Sequence, residues 1–163
     1  MAELNMISES SVHTRKIGTL IGRMVRPGDV ILLTGRLGSG KTCLTQGIAR
    51  GMGIRDYASS PSFVIMRELY GRFPLYHMDL YRLECREEIS DLGLDDYLYG
   101  NGVSVVEWAD NGLSLLPVEN LLIEMSYCEG SQRNICLIPH GSHYEEMLAR
   151  LKGIYDGTGR NSG

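Results

Sequence analysis

The stretch Gly35-Arg36-Leu37-Gly38-Ser39-Gly40-Lys41-Thr42 fits the pattern G-x-x-x-x-G-K-[ST] and stands directly after the apolar run Val30-Ile31-Leu32-Leu33-Thr34. A loop of this kind needs a buried strand before it and a helix N-terminus after it, so it commits the chain to an α/β fold. Gly35, Gly38 and Gly40 bring bare backbone N–H groups up to phosphate oxygens, where a Cβ would collide. The helix that follows, expected over residues 43–52, adds unpaired N–H donors and a partial positive charge. Lys41 reaches for the β- and γ-phosphates as a point charge, and the Thr42 hydroxyl is suited to ligate Mg²⁺.

The rest of the chain supplies elements of matching kind. Residues 4–7 read as a short strand. Ser10 or Ser11 caps a helix whose apolar face is Ile17, Leu20, Ile21, Met24 and Val25. Pro27-Gly28-Asp29 ends that helix and launches the central strand. After Gly51-Met52-Gly53 comes a polar, proline-interrupted loop over residues 56–62, then strands over 63–70 and 75–79 joined by Gly71-Arg72-Phe73-Pro74 as an antiparallel pair. Short helices are expected over 86–92 and 95–98, and a strong strand over 102–107. A hairpin pairs 120–126 with 133–138, and a terminal helix covers 143–152. The expected architecture is a three-layer α/β domain with a parallel core sheet and antiparallel additions, formed by residues 1–152, with 153–163 as a flexible tail.

Two of these strands end in acids, Asp79 and Glu107. In a doubly wound sheet ligands sit beyond the carboxyl ends of the strands, so both acids can face the glycine loop, and one of them serves as the Mg²⁺-holding acid. Asp79 has a competing role as the cap of the next helix. Glu107 sits between Val106 and Trp108, where a carboxylate is costly unless paired or bound to metal. His77 shares a strand face with Asp79, and a buried, hydrogen-bonded imidazole is the favoured reading over a catalytic one. Cys43, beside Lys41 at a helix start, is either a thiol of lowered pKa or a packing residue. Arg82, Arg86 and Arg133 are candidates for neutralising phosphate charge, against the commoner role of surface arginine.

Composition excludes several classes. The net charge is −4 and the Lys and Arg residues are scattered along the sequence, so unaided binding to DNA or RNA is not expected. No apolar run reaches membrane-spanning length, and the N-terminus lacks the basic start and apolar stretch of a signal peptide. Cys43, Cys85, Cys128 and Cys136 form no C-x-x-C pair and read as reduced thiols, which fits a cytoplasmic protein.

Taken in order, the glycine loop, Ser60-Pro61-Ser62-Phe63, His77-Met78-Asp79-Leu80-Tyr81-Arg82-Leu83 and Glu107-Trp108 resemble the TsaE (YjeE) family of small P-loop ATPases. The loop alone is shared by many families; the H-x-D-L-Y-R block followed by E-W is narrow. The resemblance spans roughly residues 10–150 and implies a component of the machinery that makes threonylcarbamoyladenosine at position 37 of tRNA. It implies ATP on Gly35, Leu37, Gly38, Ser39, Gly40, Lys41, Thr42 and Cys43, and Mg²⁺ among Thr42, Asp79 and Glu107. Thr14 would lie near the nucleotide and Ser62 in a nucleotide-sensing loop. Lys41, Asp79 and Glu107 would carry hydrolysis, and the partners would be TsaD-like and TsaB-like proteins, with tRNA reached only through the complex. Two positions depart from the family pattern: Ser62 replaces a threonine, and Arg36 stands where an acid is usual.

The residues by themselves leave two other functions open. A small-molecule kinase shares the glycine loop but needs an acceptor site and an arginine-rich lid. A nucleotide-gated binding module would rearrange on ATP binding without useful turnover.

Overall fold

Val30–Thr34 (β2) is buried along nearly its whole length because both of its faces are covered. Ile31 and Leu33 point into one apolar core, Val30 and Leu32 into a second. A strand in that position must be apolar on both faces, as its sequence is. In the computed structural model, which describes residues 3–36, 38–55, 66–81, 83 and 86–159, β2 is the middle of a seven-stranded sheet.

The elements follow in the order β1 (Leu4–Ser8), α1 (Ser11–Met24), β2, α2 (Lys41–Gly51), β3 (Met66–Tyr70), β4 (Pro74–Asp79), α3 (Arg86–Ser90), α4 (Asp95–Leu98), β5 (Val103–Glu107), β6 (Asn120–Tyr127), β7 (Arg133–His140) and α5 (Ser142–Gly159). The sheet order is β1-β7-β6-β2-β5-β4-β3. Strands β6, β2, β5 and β4 run parallel; β7 pairs antiparallel with β6 and β1 antiparallel with β7 on one edge, and β3 pairs antiparallel with β4 on the other. Helices α1, α2 and α5 cover one face and α3 and α4 the other, giving three layers. The carboxyl ends of β2, β5 and β4 are therefore adjacent, which brings the glycine loop, Glu107 and Asp79 to one edge of the sheet.

Several boundaries differ from the sequence reading by a residue or two, and two differences have a clear cause. The helix after the loop begins at Lys41 rather than residue 43, since the loop's last turn is already helical. Residues 153–159, expected as tail, continue α5. Tyr155 explains the extension: it packs against the core, and its ring stacks on His13 of α1 with centroids 6.3 Å apart. No described helix is long and apolar enough to cross a membrane.

The closest helix contact in the fold is between α1 and α2, and glycines make it possible. A Cβ on Gly22 would lie 2.1 Å from the Ile48 carbonyl oxygen, and one on Gly47 would lie 2.1 Å from that of Arg15. Gly18 and Gly51 meet the opposite backbones at 2.4 and 2.3 Å. Arg72, in the turn before β4, donates to the Gly51 and Gly22 carbonyls at 2.8 and 3.0 Å and ties together the C-terminal ends of both helices. The pair holds α2, and with it the glycine loop, at a fixed height over the sheet.

Cys43, Cys128 and Cys136 are free thiols. Burial first, then a hydrogen bond to the Glu3 carboxylate and the charges of Glu3 and Glu124, push the Cys136 thiol up to about 12. Because the thiolate is the nucleophile, iodoacetamide at pH 8 is expected to modify exposed Cys128 at least about 100-fold faster than Cys136. Peptide mass spectrometry of the native protein over time reads this directly. Comparable rates at the two positions would refute the burial assigned to Cys136.

Candidate functional site

The loop after β2 owes its shape to positions that reject a side chain. At Gly35 a Cβ would lie 2.5 Å from the Met125 carbonyl oxygen and 2.6 Å from Ser39 Oγ. Gly40 is the N-cap of α2 with φ of 104°, a left-handed conformation that glycine adopts without strain. It offers no side-chain cap, and the first turn of α2 holds no acid. The opening N–H groups of α2 are thus unshielded by any side chain of their own helix, as an anion site requires. Ser39 Oγ is buried with no hydrogen-bond partner among the described residues. A buried hydroxyl left unsatisfied in a phosphate loop fits a missing ligand oxygen.

Lys41 is almost fully buried. Its Nζ donates to the carbonyls of Gly35 and Arg36 at 2.5 and 3.0 Å and lies 4.0 Å from the centre of the Trp108 ring. Burial pushes the ammonium below the usual lysine value, against the opposing pull of Glu107, Asp110 and Asp79. Desolvation thus outweighs three carboxylates, and a polyphosphate would supply the charge that Lys41 lacks.

Opposite the lysine stands Glu107, buried at the end of β5. Its Oε1 accepts from Thr42 Oγ1 at 3.3 Å, and its Oε2 is hydrogen-bonded to Nε2 of His77. His77 is itself 1% exposed, so this is the buried, hydrogen-bonded imidazole expected from the sequence. Asp79 lies in register beside Glu107 on the neighbouring strand, and its Oδ1 accepts from the Tyr81 amide at 2.9 Å. Asp79 thus closes a turn at Tyr81 and does not cap the next helix, which begins at Arg86.

Removing His77 leaves a buried carboxylate without its main partner. His77→Ala is expected to destabilise the fold by about 3 kcal/mol, the scale of a broken buried pair. Chemical denaturation of the two proteins measures it; a loss below about 1 kcal/mol would mean that Glu107 does not depend on His77.

The remaining expected residues divide into three groups. Thr14 is buried behind the loop, its hydroxyl engaged by Ser8 Oγ at 2.6 Å and the Ser10 carbonyl at 3.1 Å. Its methyl faces Gly40, 4.0 Å from where a Cβ would be. Cys43 is half-buried on the first turn of α2. Leu37, Ser62 with its neighbours 60–63, Arg82 and the side chain of Arg86 lie outside the described residues.

Sequence reasoning left Trp108 and Tyr127 without a role, and gave Arg133 only as one of three candidate arginines. Trp108 has φ of 58° and ψ of 39°, the one positive-φ non-glycine among the described residues. Such a conformation costs about 1–3 kcal/mol and persists where the surroundings enforce it; here it turns the indole over Lys41. The E-W dipeptide was the only sequence signal. Tyr127 and Arg133 come from the β6–β7 hairpin: the tyrosine hydroxyl is 2.6 Å from a would-be Gly38 Cβ, and the Arg133 guanidinium stacks 4.3 Å from the tyrosine ring. Together they put a cation and an aromatic face beside the loop.

The donor set suits Mg²⁺ and a polyphosphate. Among the described residues no group of three or more His, Cys, Asp or Glu forms a cation cage. Mg²⁺ in nucleotide sites uses one or two protein oxygens and takes the rest from phosphates and water, and Thr42 with Glu107 offers such a pair.

The model of the family described as "Threonylcarbamoyl adenosine biosynthesis protein TsaE" matches residues 8–135. The tRNA threonylcarbamoyladenosine biosynthesis protein TsaE of Bacillus subtilis is 41% identical over 152 residues, covering 93% of this chain and 95% of the relative. The protein of the same name from Treponema pallidum is 38% identical over 132 residues, 81% of this chain and 98% of the relative. A crystal structure of Bacillus subtilis YdiB superposes with a TM-score of 0.82 at 37% identity, over 93% of this chain and 95% of that one. The fold is that of a P-loop NTPase-like α/β domain, and with sequence and architecture agreeing across most of its length, the chain belongs to the TsaE family.

Proposed function

We propose that this protein is the Mg²⁺-dependent, ATP-binding and ATP-hydrolysing component of an assembly that forms N6-threonylcarbamoyladenosine at position 37 of tRNA, acting with TsaD-like and TsaB-like proteins. The observation that carries the nucleotide part is the Thr42–Glu107 contact facing a buried Lys41 across an uncapped helix start. The pathway part rests on the names of the relatives.

In this reading the loop amides, Ser39 and Lys41 hold the triphosphate, with Lys41 turning from the Gly35 and Arg36 carbonyls toward the phosphate oxygens. Bound Mg²⁺ would neutralise charge on the β- and γ-oxygens, with Thr42 and Glu107 as its protein oxygens. Glu107, fixed by His77, is the metal-side carboxylate. Asp79, one strand away, is the candidate for orienting the attacking water. Trp108 and Tyr81, with ring centroids 4.8 Å apart, shield one side of the lysine.

Phosphate release measured with and without the two partners and tRNA tests the proposal. Turnover is expected to be slow for the chain alone and to rise in the complete assembly. Tight ATP binding with no phosphate release under any condition would convert the reading to a nucleotide-gated module. Against the kinase alternative, Asn120–Tyr127 and Arg133–His140 form β6 and β7 within the sheet rather than a lid.

A further inference from the structure

Residues 87–132 hold half of the chain's 20 acids and none of its 16 Lys and Arg residues or its four histidines. The fold turns much of that stretch into one layer. Glu87, Glu88, Asp91, Asp95 and Asp96 are exposed in and beside α3 and α4, and Asp110 is exposed in the turn Ala109–Asn111 that follows Trp108. No described side chain from residue 87 to residue 118 is a cation; Arg82 and the side chain of Arg86, at the start of the layer, lie outside the described residues. The layer on the other face is mixed, with Arg15, Lys16, Arg50, Arg150 and Lys152 set among Glu145, Glu146 and Asp156.

Within the acidic layer an apolar cleft of about 80 Å³ opens between α3, α4 and the short turn Leu113–Leu115. Ile89, Leu94, Leu98 and Leu115 supply apolar walls, and Ser90 and Asp95 stand exposed among them. Apolar surface continues beside it, where Leu113 of the same turn is 47% exposed. The cleft is too small for a cofactor or metabolite, whose pockets run to about 300–1,000 Å³, and is of a size to take one or two aliphatic side chains. The carboxylates around it select what those side chains arrive on: a segment rich in Lys and Arg is attracted, and an acidic protein or a nucleic acid is repelled. An apolar anchor flanked by cations is what an amphipathic helix presents.

One wall of the cleft is continuous with the nucleotide site. Leu115 is seven residues beyond Trp108, whose strained backbone turns the indole over Lys41. Between them, Asn111 Nδ2 donates to the Leu80 carbonyl at 2.8 Å, and Gly112 packs so closely on Ile89 that a Cβ would lie 2.8 Å from its Cδ1. Leu80 follows Asp79, and its amide donates to the Glu107 carbonyl at 3.0 Å. A side chain seated against Ile89 and Leu115 therefore bears on the segments that carry Asp79, Glu107 and Trp108.

We propose that this cleft seats an aliphatic side chain of a Lys- and Arg-rich amphipathic segment of a partner protein, and that docking there acts on Trp108. The chemistry of the segment stands on the cleft and its acids; the partner's place in the tRNA-modifying assembly rests on the function proposed above.

Biolayer interferometry of the full chain against its TsaD-like and TsaB-like partners, at about 50 and 300 mM salt, tests this. Asp91→Asn/Asp96→Asn is expected to lower the association rate about fivefold at the lower salt, with little difference left at the higher. Ser90→Phe fills the cleft from an exposed position and is expected to weaken binding at least about tenfold, through faster dissociation. Glu146→Gln/Asp156→Asn removes the same charge from exposed positions on α5 and is expected to change neither rate. Trp108 is the single tryptophan, so 5-fluorotryptophan gives one ¹⁹F signal from this chain, which is expected to shift when unlabelled partners bind. Thermal melts confirm that the variants fold, and the charge pair decides alone if Ser90→Phe does not. Unchanged binding by both the Ser90→Phe and the Asp91→Asn/Asp96→Asn proteins, an equal effect of the two charge pairs, or no binding by the parent protein overturns the docking site. A fluorine signal that stays put in the bound complex overturns the action on Trp108. Phosphate release separates the two readings. Release by the parent assembly that Ser90→Phe leaves intact sinks the docking site and keeps the function proposed above. Binding lost in Ser90→Phe, with no phosphate release from the parent assembly, keeps the docking site and sinks hydrolysis.

Discussion

Lys41→Ala is expected to reduce ATP hydrolysis by the complete assembly about 10²–10³-fold, the loss found when one preorganised charge donor is removed from a developing-charge site. The expectation follows from where the ammonium sits. It is almost fully buried, held by two loop carbonyls and an indole face, and its charge is disfavoured by burial more than three nearby carboxylates restore it. A cation kept in that condition gains more from an arriving polyphosphate than an exposed lysine would, because its solvation has already been given up. Folding should suffer much less than activity. The variant loses two carbonyl hydrogen bonds but also loses a desolvated charge, and these terms oppose each other. Steady-state phosphate release with partners and tRNA present, paired with a thermal melt, distinguishes the two effects. Hydrolysis at the parent rate would remove Lys41 from the machinery.

Gly47→Ala is expected to destabilise the fold by about 2–3 kcal/mol, in the range of overpacked sites, and to lower Tm by roughly 5–10 °C for a chain of this length. In an isolated helix the same change would stabilise by about 1 kcal/mol, because glycine is the poorer helix former. Here the new Cβ would lie 2.1 Å from the Arg15 carbonyl oxygen and 2.9 Å from the Gly18 Cα. Both are backbone atoms and cannot rotate away, so the clash wins over propensity. Gly153→Ala on α5 is the control: it has open space around it, and a gain of about 0.5–1 kcal/mol is expected. Should both substitutions raise Tm alike, the close packing of α1 on α2 would be wrong. The loss at Gly47 would also reach the site, since α2 carries the loop at its N-terminus.

The sheet was legible because its strands are strongly patterned. The apolar run of β2, the alternation in β4 and the carboxylates at the ends of β4 and β5 are local features, and each strand formed within a residue or two of its expected place. The terminal helix was read short because the glycine and polar residues after Lys152 look like a stop. Tyr155, packing on His13 over a hundred residues away, carries it onward.

By itself the sequence determined the glycine loop, the central strand beneath it, and the two acids able to meet it. Their spacing follows from backbone geometry that any chain obeys, so no distant contact was needed to read them. The tertiary structure alone decided what depends on residues far apart in sequence. It joined His77 to Glu107 and Glu107 to Thr42, and so gave Asp79 and Glu107 different surroundings where the sequence had left them equivalent. Trp108 was turned over Lys41 by a strained backbone, and four glycines on two helices were matched across one interface. Each of these is a long-range juxtaposition whose energy comes from burial and exclusion of water, which become defined only when the sheet has brought the segments together.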